Sequence, residues 1–198
     1  MKNVKYIAVG DIQSSGLQLK AGFEHVLNIY NPEKIIFLGD NFDRGETANI
    51  VLSTILKIKS KYDCVFLEGN HDSLLKEALV RKNITSTYQL LGGVQTIQQL
   101  LSYFKGIGRF QTLENDKISF LAKQPELVEW LNLMTFLYED ENYLFSHSPI
   151  YNHNDHINYD NWNNWQSDDV FSNATRYLDF AEYLKSISKI NVCGHTQN

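Results

Sequence analysis

Five short apolar runs in this 198-residue chain each end at a residue of a type that binds metal ions. The residues at these ends are Asp11, Asp40, Asn70 with His71, His147 and His195. A short run rich in β-branched and aromatic residues indicates a buried strand, and open α/β sheets form their sites at the carboxyl ends of the strands. Five such ends therefore predict a metal centre assembled from distant parts of one fold.

The first half of the chain alternates between strand and helix patterns. Strands are predicted at 6–9, 34–38 and 63–67, and helices at 17–30, 47–59 and 72–81. This order favours a mostly parallel sheet covered by helices, because a parallel connection needs a crossover that is usually helical. The absence of an internal repeat or linker predicts a single domain over residues 1–198.

The second half is less regular. A helical insertion is expected at about 87–130, then strands at 142–146 and 189–193 with a helix at about 172–186 between them. The segment 149–169 is rich in Asn and Asp and is interpreted as an ordered substrate loop over the site. Its Trp162 and Trp165 would either stack on a base or form a small core under the loop.

Bulk composition excludes several function classes. The formal net charge is −5, which argues against a broad basic surface for duplex DNA. No apolar stretch reaches the roughly 18–20 residues that a membrane span needs, so no membrane association is expected. Cys64 and Cys193 are expected to be free thiols in a reducing compartment, with a disulfide between strands as the alternative. No signal-peptide pattern precedes the first strand, and a cytoplasmic location is expected.

The strongest local pattern follows the second predicted strand, at Asp40-Asn41-Phe42-Asp43-Arg44. Asp40 stands at the strand terminus, where a carboxylate can bridge two divalent cations. Arg44 provides a planar, permanently charged group that suits phosphate oxygens. The alternative interpretation is a strand-to-helix turn with solvated charges.

A second pattern, Asn70-His71-Asp72, follows the third strand. The Asn70 amide oxygen is a neutral metal ligand, and His71 could protonate a leaving alkoxide. The same residues also fit an Asn-capped helix with Asp72 in its first turn, and both interpretations can hold together. His147 and His195 would supply neutral imidazole ligands.

Together these motifs resemble the signature of the calcineurin-like metallophosphoesterases. The resemblance rests on Gly10-Asp11-Ile12-Gln13, Gly39-Asp40 through Asp43-Arg44-Gly45, Gly69-Asn70-His71-Asp72, His147 and Gly194-His195-Thr196. Gly92-Gly93-x-x-Thr96 further resembles a segment of the bacterial and phage members. Within this family the chain most resembles the branch of phosphoprotein phosphatases, diadenosine tetraphosphatases and polynucleotide-end phosphatases. The resemblance implies an α/β fold, a four-layer α/β/β/α sandwich with its metal site at the carboxyl ends of the strands.

The resemblance also implies roles for individual residues in a two-metal centre. Asp40 would bridge the metals, Asp11 would bind the first, and the second would be completed by Asn70, His147 and His195. A metal pair of this kind lowers the pKa of a bridging water, which then attacks phosphorus directly as hydroxide. The implied catalytic residues are His71 as general acid, Asp43 as its orienting partner and Arg44 on the phosphoryl oxygens. Arg44 and Asn70 are the expected substrate contacts.

Gln13 departs from the family pattern, which has histidine at this position. The sequence leaves three possibilities open. Gln13 is a working oxygen ligand, or a water molecule takes the place of the histidine ligand, or the first metal site is lost. An amide oxygen is a harder donor than imidazole, which favours Mn²⁺ or Mg²⁺ over iron and Zn²⁺ at this position. Two divalent ions are expected in the centre, with Mn²⁺ favoured and Mg²⁺, iron or Zn²⁺ as the alternatives. Family members usually continue with further strands beyond the position of His195, so either a short member or a C-terminal truncation is expected.

The predicted function is metal-dependent hydrolysis of a phosphomonoester or phosphoanhydride. Three substrate classes fit: a phosphoprotein, a dinucleoside polyphosphate or the terminal phosphate of a nucleic acid. The alternative is a catalytically weakened protein that binds phosphate or nucleotide, because of Gln13. Retention of His71, Asp43 and Arg44 argues against that alternative, since binding alone needs neither a general acid nor its orienting partner.

Overall fold

The computed structural model describes residues 1–104, 114–148 and 189–195. The fold is α/β, and its first half has the predicted alternation. The elements in chain order are β1 (Lys2–Val9), α1 (Gly16–Ile29), β2 (Tyr30–Phe37), α2 (Ala48–Lys59), β3 (Cys64–Phe66) and α3 (Asn70–Arg81). The three strands form a parallel sheet in the order β1-β2-β3.

The register of this sheet determines where the site lies. Val9 pairs with Phe37, and Phe37 pairs with Phe66, so the three strands end at the same level. The loops that follow them therefore leave from one edge of the sheet. These loops carry the predicted site residues of the first half of the chain.

Helices cover one face of the first sheet. After α3 come α4 (Ser86–Leu90), α5 (Gly93–Tyr103), α6 (Glu114–Leu121) and α7 (Pro125–Asn132). Residues of α5, α6 and α7, including Ile97, Ile118 and Trp130, are buried in the same core as Ile35 and Phe37 of β2. The predicted helical segment is thus part of the main core.

A second sheet covers the other face. It consists of β4 (Leu137–Glu139), β5 (Tyr143–Ser146) and β6 (Ile190–Cys193), with β4 antiparallel and β6 parallel to β5. Ile36 and Leu38 point away from the helices because side chains alternate along a strand, and they pack with Phe145 of β5 in a second core cluster. The Tyr6 ring meets the Phe145 ring edge-on, with 5.1 Å between centroids.

Some predictions lie outside the described residues. These are the helix at 172–186 and the loop at 149–169 with Trp162 and Trp165. The four-layer arrangement therefore stays a prediction. Cys64 and Cys193 are free thiols on different sheets, so the disulfide alternative is wrong. None of the helices in the described part of the chain is both long and apolar enough to cross a membrane.

Candidate functional site

The loops at the strand ends have unusual backbone conformations. Seven of the eight non-glycine residues with positive φ in the described ranges lie in these loops: Asp11, Gln13, Ser14, Asp40, Asp43, Arg44 and His195. Such conformations cost of order 1–3 kcal/mol each and are retained where surrounding structure enforces them, often at functional sites. The concentration of strain identifies this edge of the sheet as the candidate site.

Three side chains converge into a group that suits a cation. The ligand-type atoms of Asp40, His147 and His195 all lie within 4.8 Å of one another. Nε2 of His147 is 3.0 Å from Nδ1 of His195 and 3.5 Å from Oδ1 of Asp40. The two imidazoles follow β5 and β6 of the second sheet, whereas Asp40 follows β2 of the first.

The protonation of His147 fits a ligand role. Its Nδ1 donates a hydrogen bond to the Leu38 carbonyl at 2.8 Å, which leaves the Nε2 lone pair directed at Asp40 and His195. Burial lowers the pKa of His147 below its ordinary value, so the ring is held neutral at neutral pH. A neutral ring with its second nitrogen fixed by a carbonyl is a common metal-binding arrangement.

Asp40 is a buried carboxylate, 2% exposed, at the centre of the group. Burial raises its pKa to about 6, although the charge and backbone N–H of His71 act in the opposite direction. Its Oδ1 accepts a hydrogen bond from the His71 backbone N–H at 3.0 Å. Asp11 is linked to the same group, because its Oδ1 accepts from the His195 backbone N–H at 2.9 Å.

Two amide residues complete the predicted ligand set. Oδ1 of Asn70 is buried and has no hydrogen-bond partner among the described residues, which fits an oxygen whose partner is a bound cation. The backbone N–H of Gln13 donates to the Asp40 carbonyl at 2.9 Å, and the Gln13 carbonyl accepts from the Gly45 N–H at 3.1 Å. Gln13 thus belongs to the same group of loops as Asp40, and it is half-buried there. Buried carboxylate, imidazole and orphaned amide oxygen together form a donor set that fits divalent cations.

His71 and Asp43 form a hydrogen-bonded pair beside this group. Nδ1 of His71 donates to Oδ2 of Asp43 at 2.7 Å, and both side chains are almost completely buried. Burial alone would lower the pKa of His71, but the hydrogen bond to Asp43 and the charge of Asp40 outweigh it and raise that pKa. Nε2 of His71 is buried without a hydrogen-bond partner in the described ranges. The pair can therefore hold a proton on Nε2 next to the candidate metal site. Arg44, in the same turn as Asp43, is exposed.

Asp72 ties the two ligand loops together, a role that the sequence patterns did not indicate. Its carboxylate accepts hydrogen bonds from the backbone N–H groups of Asp40 at 2.8 Å, Gly69 at 3.0 Å and Asn41 at 3.2 Å. The alternative interpretation of an Asn-capped helix is wrong about the cap, because α3 begins at Asn70 and Gly69 occupies the N-cap position, but it is right that Asp72 lies in the first turn. Asp72 is then the third helical residue, whose carboxylate reaches back to the cap as in a capping box. The three-residue spacing between Gly69 and Asp72 was the sequence signal that could have indicated this contact.

Comparison with known proteins gives one family. The family model described as calcineurin-like phosphoesterase matches residues 4–197. No curated protein matches the chain. Among solved structures, hypothetical protein PH1004 from Pyrococcus horikoshii OT3 is similar at 15% identity and a TM-score of 0.42, over 73% of this chain and 54% of that one. The chain thus spans about half the length of that protein.

Proposed function

Because the chain belongs to the calcineurin-like phosphoesterase family, we propose that it is a hydrolase of phosphomonoesters or phosphoanhydrides that uses two divalent cations. Family membership supports metal-dependent phosphoester chemistry in general. The finer proposal concerns the number of metals, the identity of the general acid and the substrate.

The observation that carries the proposal is the position of the His71–Asp43 pair beside the Asp40–His147–His195 group. The backbone N–H of His71 donates to Asp40 itself, so a proton donor and a cation ligand are fixed to each other. Phosphoester hydrolysis needs both functions, because a nucleophile must be activated and the leaving oxygen must be protonated. A site built only to bind phosphate needs no buried histidine with a partner carboxylate.

The residues have distinct roles in this proposal. Asp40, Asn70, His147 and His195 would hold one cation, and Asp11, Gln13 and Asp40 the other. Bound divalent ions would supply an activated water and neutralise charge on the phosphoryl group. Arg44 would hold two phosphoryl oxygens with its guanidinium. Asp43 would stabilise the protonated ring of His71, which would then deliver its Nε2 proton to the leaving oxygen and become neutral.

A phosphatase assay with a matched variant tests the proposal. We expect the protein to release p-nitrophenol from p-nitrophenyl phosphate with Mn²⁺. On phenyl phosphate, whose leaving oxygen needs a proton, His71→Ala should lose about 10²–10⁴-fold in kcat, the usual contribution of a general acid. The exposed His25→Ala variant on α1 is the control and should match wild type. Equal inactivity of wild type and His71→Ala across Mn²⁺, Mg²⁺, Fe²⁺ and Zn²⁺ would refute the enzyme proposal.

The second candidate, a catalytically weakened protein that binds phosphate or nucleotide, is favoured by one feature. Gln13 stands where the family pattern has histidine, so the first cation would lack a nitrogen ligand. Calorimetric titration with Mn²⁺ separates the candidates. Two equivalents are expected for the enzyme, and failure to bind the second at millimolar Mn²⁺ would overturn the two-metal proposal.

The substrate class requires its own comparison. A phosphorylated peptide, a dinucleoside tetraphosphate and an oligonucleotide with a 3′-phosphate represent the three proposed classes. Rates measured side by side with Mn²⁺, with His71→Ala as blank, would assign the class. The free thiols Cys64 and Cys193 suit the reducing cytoplasm in which we propose the protein acts.

A further inference from the structure

Helix α5 is docked against the turn that carries Asp43 and Arg44, and it makes two polar contacts there. Thr96 contacts Asp43. Gln99, one turn further along, donates from Nε2 to the Gly45 carbonyl at 3.1 Å and accepts from the Ala48 N–H at 2.8 Å. The first contact reaches the carboxylate of the acid–base pair, and the second reaches only backbone.

The contact between Thr96 and Asp43 is reciprocal. Oγ1 of Thr96 donates to Oδ1 of Asp43 at 2.5 Å and accepts from the Asp43 backbone N–H at 3.1 Å. Both residues are 0% exposed, so water does not replace either bond. One carboxylate oxygen is thereby occupied, and the other, Oδ2, faces Nδ1 of His71 at 2.7 Å. The three side chains form a linear chain of hydrogen bonds.

Two glycines allow α5 to begin this close to the turn. Gly92 has a φ of +104°, and a Cβ added to it would stand 3.0 Å from the Arg44 backbone nitrogen. A Cβ on Gly93 would stand 2.6 Å from ring atoms of Tyr88. The Gly92-Gly93-x-x-Thr96 segment is therefore a compact unit. Its glycines permit the close approach, and its threonine makes the contact.

We propose that Thr96 is a positioning residue that holds the Asp43 carboxylate in the orientation needed to support His71 as general acid. This inference rests on the proposed phosphatase function. A hydroxyl that both donates to the carboxylate and accepts from the same residue's N–H prevents the carboxylate from rotating. Without it, Oδ2 would no longer be fixed toward Nδ1 of His71, and the ring would lose the contact that holds its orientation.

The consequence is specific to the leaving group. An acid that protonates the leaving oxygen matters most when the leaving alcohol is a weak acid, and least when the leaving group departs readily as an anion. Loss of Thr96 should therefore slow hydrolysis of phenyl phosphate much more than hydrolysis of 2,4-dinitrophenyl phosphate. A general loosening of the fold would slow both substrates alike.

The test compares the ratio of kcat on these two substrates, measured with Mn²⁺, across four proteins. Thr96→Val should lower the phenyl-to-dinitrophenyl ratio about tenfold or more, a part of the total effect of a general acid. Thr96→Ser, which keeps the hydroxyl, should retain the wild-type ratio. Gln99→Ala, which removes the other contact between α5 and the turn, should leave the ratio unchanged even if it lowers both rates.

Two outcomes overturn the proposal. One is an equal loss of kcat on both substrates in Thr96→Val, and the other is a change in the phenyl-to-dinitrophenyl ratio in Gln99→Ala as large as that in Thr96→Val. If Thr96→Val does not fold, Thr96→Ala takes its place.

Inactivity of wild type on both substrates refutes the proposed function instead. A measurement that needs no turnover then decides the role of Thr96. The ¹⁵N and attached-proton resonances of His71 Nδ1 should move in Thr96→Val and stay in place in Thr96→Ser and Gln99→Ala. Unchanged resonances in Thr96→Val would overturn the proposal.

Discussion

A single buried carboxylate, Asp72, fixes the spacing between two loops that carry candidate ligands. It accepts from backbone N–H groups on the loop of Asp40 and Asn41 and from the N–H of Gly69, the residue before Asn70. Burial and the charge of Asp40 raise the pKa of Asp72 to about 7. The arrangement therefore tolerates repulsion between two acids to hold both loops in place.

Replacing Asp72 with alanine should destabilise the protein. Each of the three backbone N–H groups left without an acceptor costs about 1–3 kcal/mol, and relief of repulsion with Asp40 offsets part of this. We expect a net loss of about 2–4 kcal/mol in the free energy of unfolding, measured by urea denaturation. Glu77→Ala, at a half-buried position of the same helix whose carboxylate pairs with Arg81, should stay within about 0.5 kcal/mol of wild type. A similar loss in both variants would contradict this role for Asp72.

The candidate metal ligands could be found in the sequence, because each follows a strand pattern directly. Asp40, His147 and His195 are brought together as the strand ends predicted. Asp72 and Thr96 were not assigned these roles, because they act through backbone N–H groups and another side chain. Apart from the contact between Gly69 and Asp72, these contacts join positions 31 to 53 residues apart and depend on how loops and helices meet.

At the scale of elements, the start of α3 is packed against the loop after β2. A Cβ on Gly69 would overlap Oδ1 and the backbone nitrogen of Asp40. The close approach of these two backbones is what places Asn70 and His71 beside Asp40. Gly22, in α1, is the contrasting case, because an added Cβ would meet no atom within 4 Å.

These two glycines make a matched pair of alanine substitutions. Gly69→Ala should push the loops apart, cost about 1–3 kcal/mol as overpacking does, and weaken Mn²⁺ binding. Gly22→Ala should stabilise the protein by about 0.5–1 kcal/mol, because alanine is the better helix former, and leave Mn²⁺ binding unchanged. Urea denaturation and calorimetric titration measure both effects. Wild-type Mn²⁺ affinity in Gly69→Ala would show that the close approach is unnecessary.

Element type was predictable from periodicity, whereas element boundaries and the pairing of strands in the second sheet were not. The helix predicted at 72–81 begins two residues earlier, at Asn70, because Gly69 rather than Asn70 occupies the cap. The mixed pairing of β4, β5 and β6 depends on contacts between distant segments, such as Phe145 with Tyr6. Short strands of three or four residues carry too little pattern to define their partners.

At the scale of the whole molecule, the candidate metal group joins the two sheets. Asp40 extends from the first sheet, and His147 and His195 extend from the second. Between the sheets lies a small apolar cluster that includes Leu38 and Phe145. A cation bound by this group would act as a cross-link present only in the folded state, so metal binding and folding should be thermodynamically coupled.

This coupling predicts a metal-dependent increase in melting temperature. At a Mn²⁺ concentration about 100 times Kd, binding to the native state adds about 2.7 kcal/mol. For a domain of this size that corresponds to a rise in Tm of about 5–10 °C. His147→Ala should lose most of this rise because it removes one ligand from the second sheet, whereas the exposed His25→Ala on α1 should keep it in full. Thermal unfolding of each protein with EDTA and with Mn²⁺ gives the increments directly. An equal increment in His147→Ala and wild type would mean that the cation binds elsewhere and that the two sheets are not joined through it.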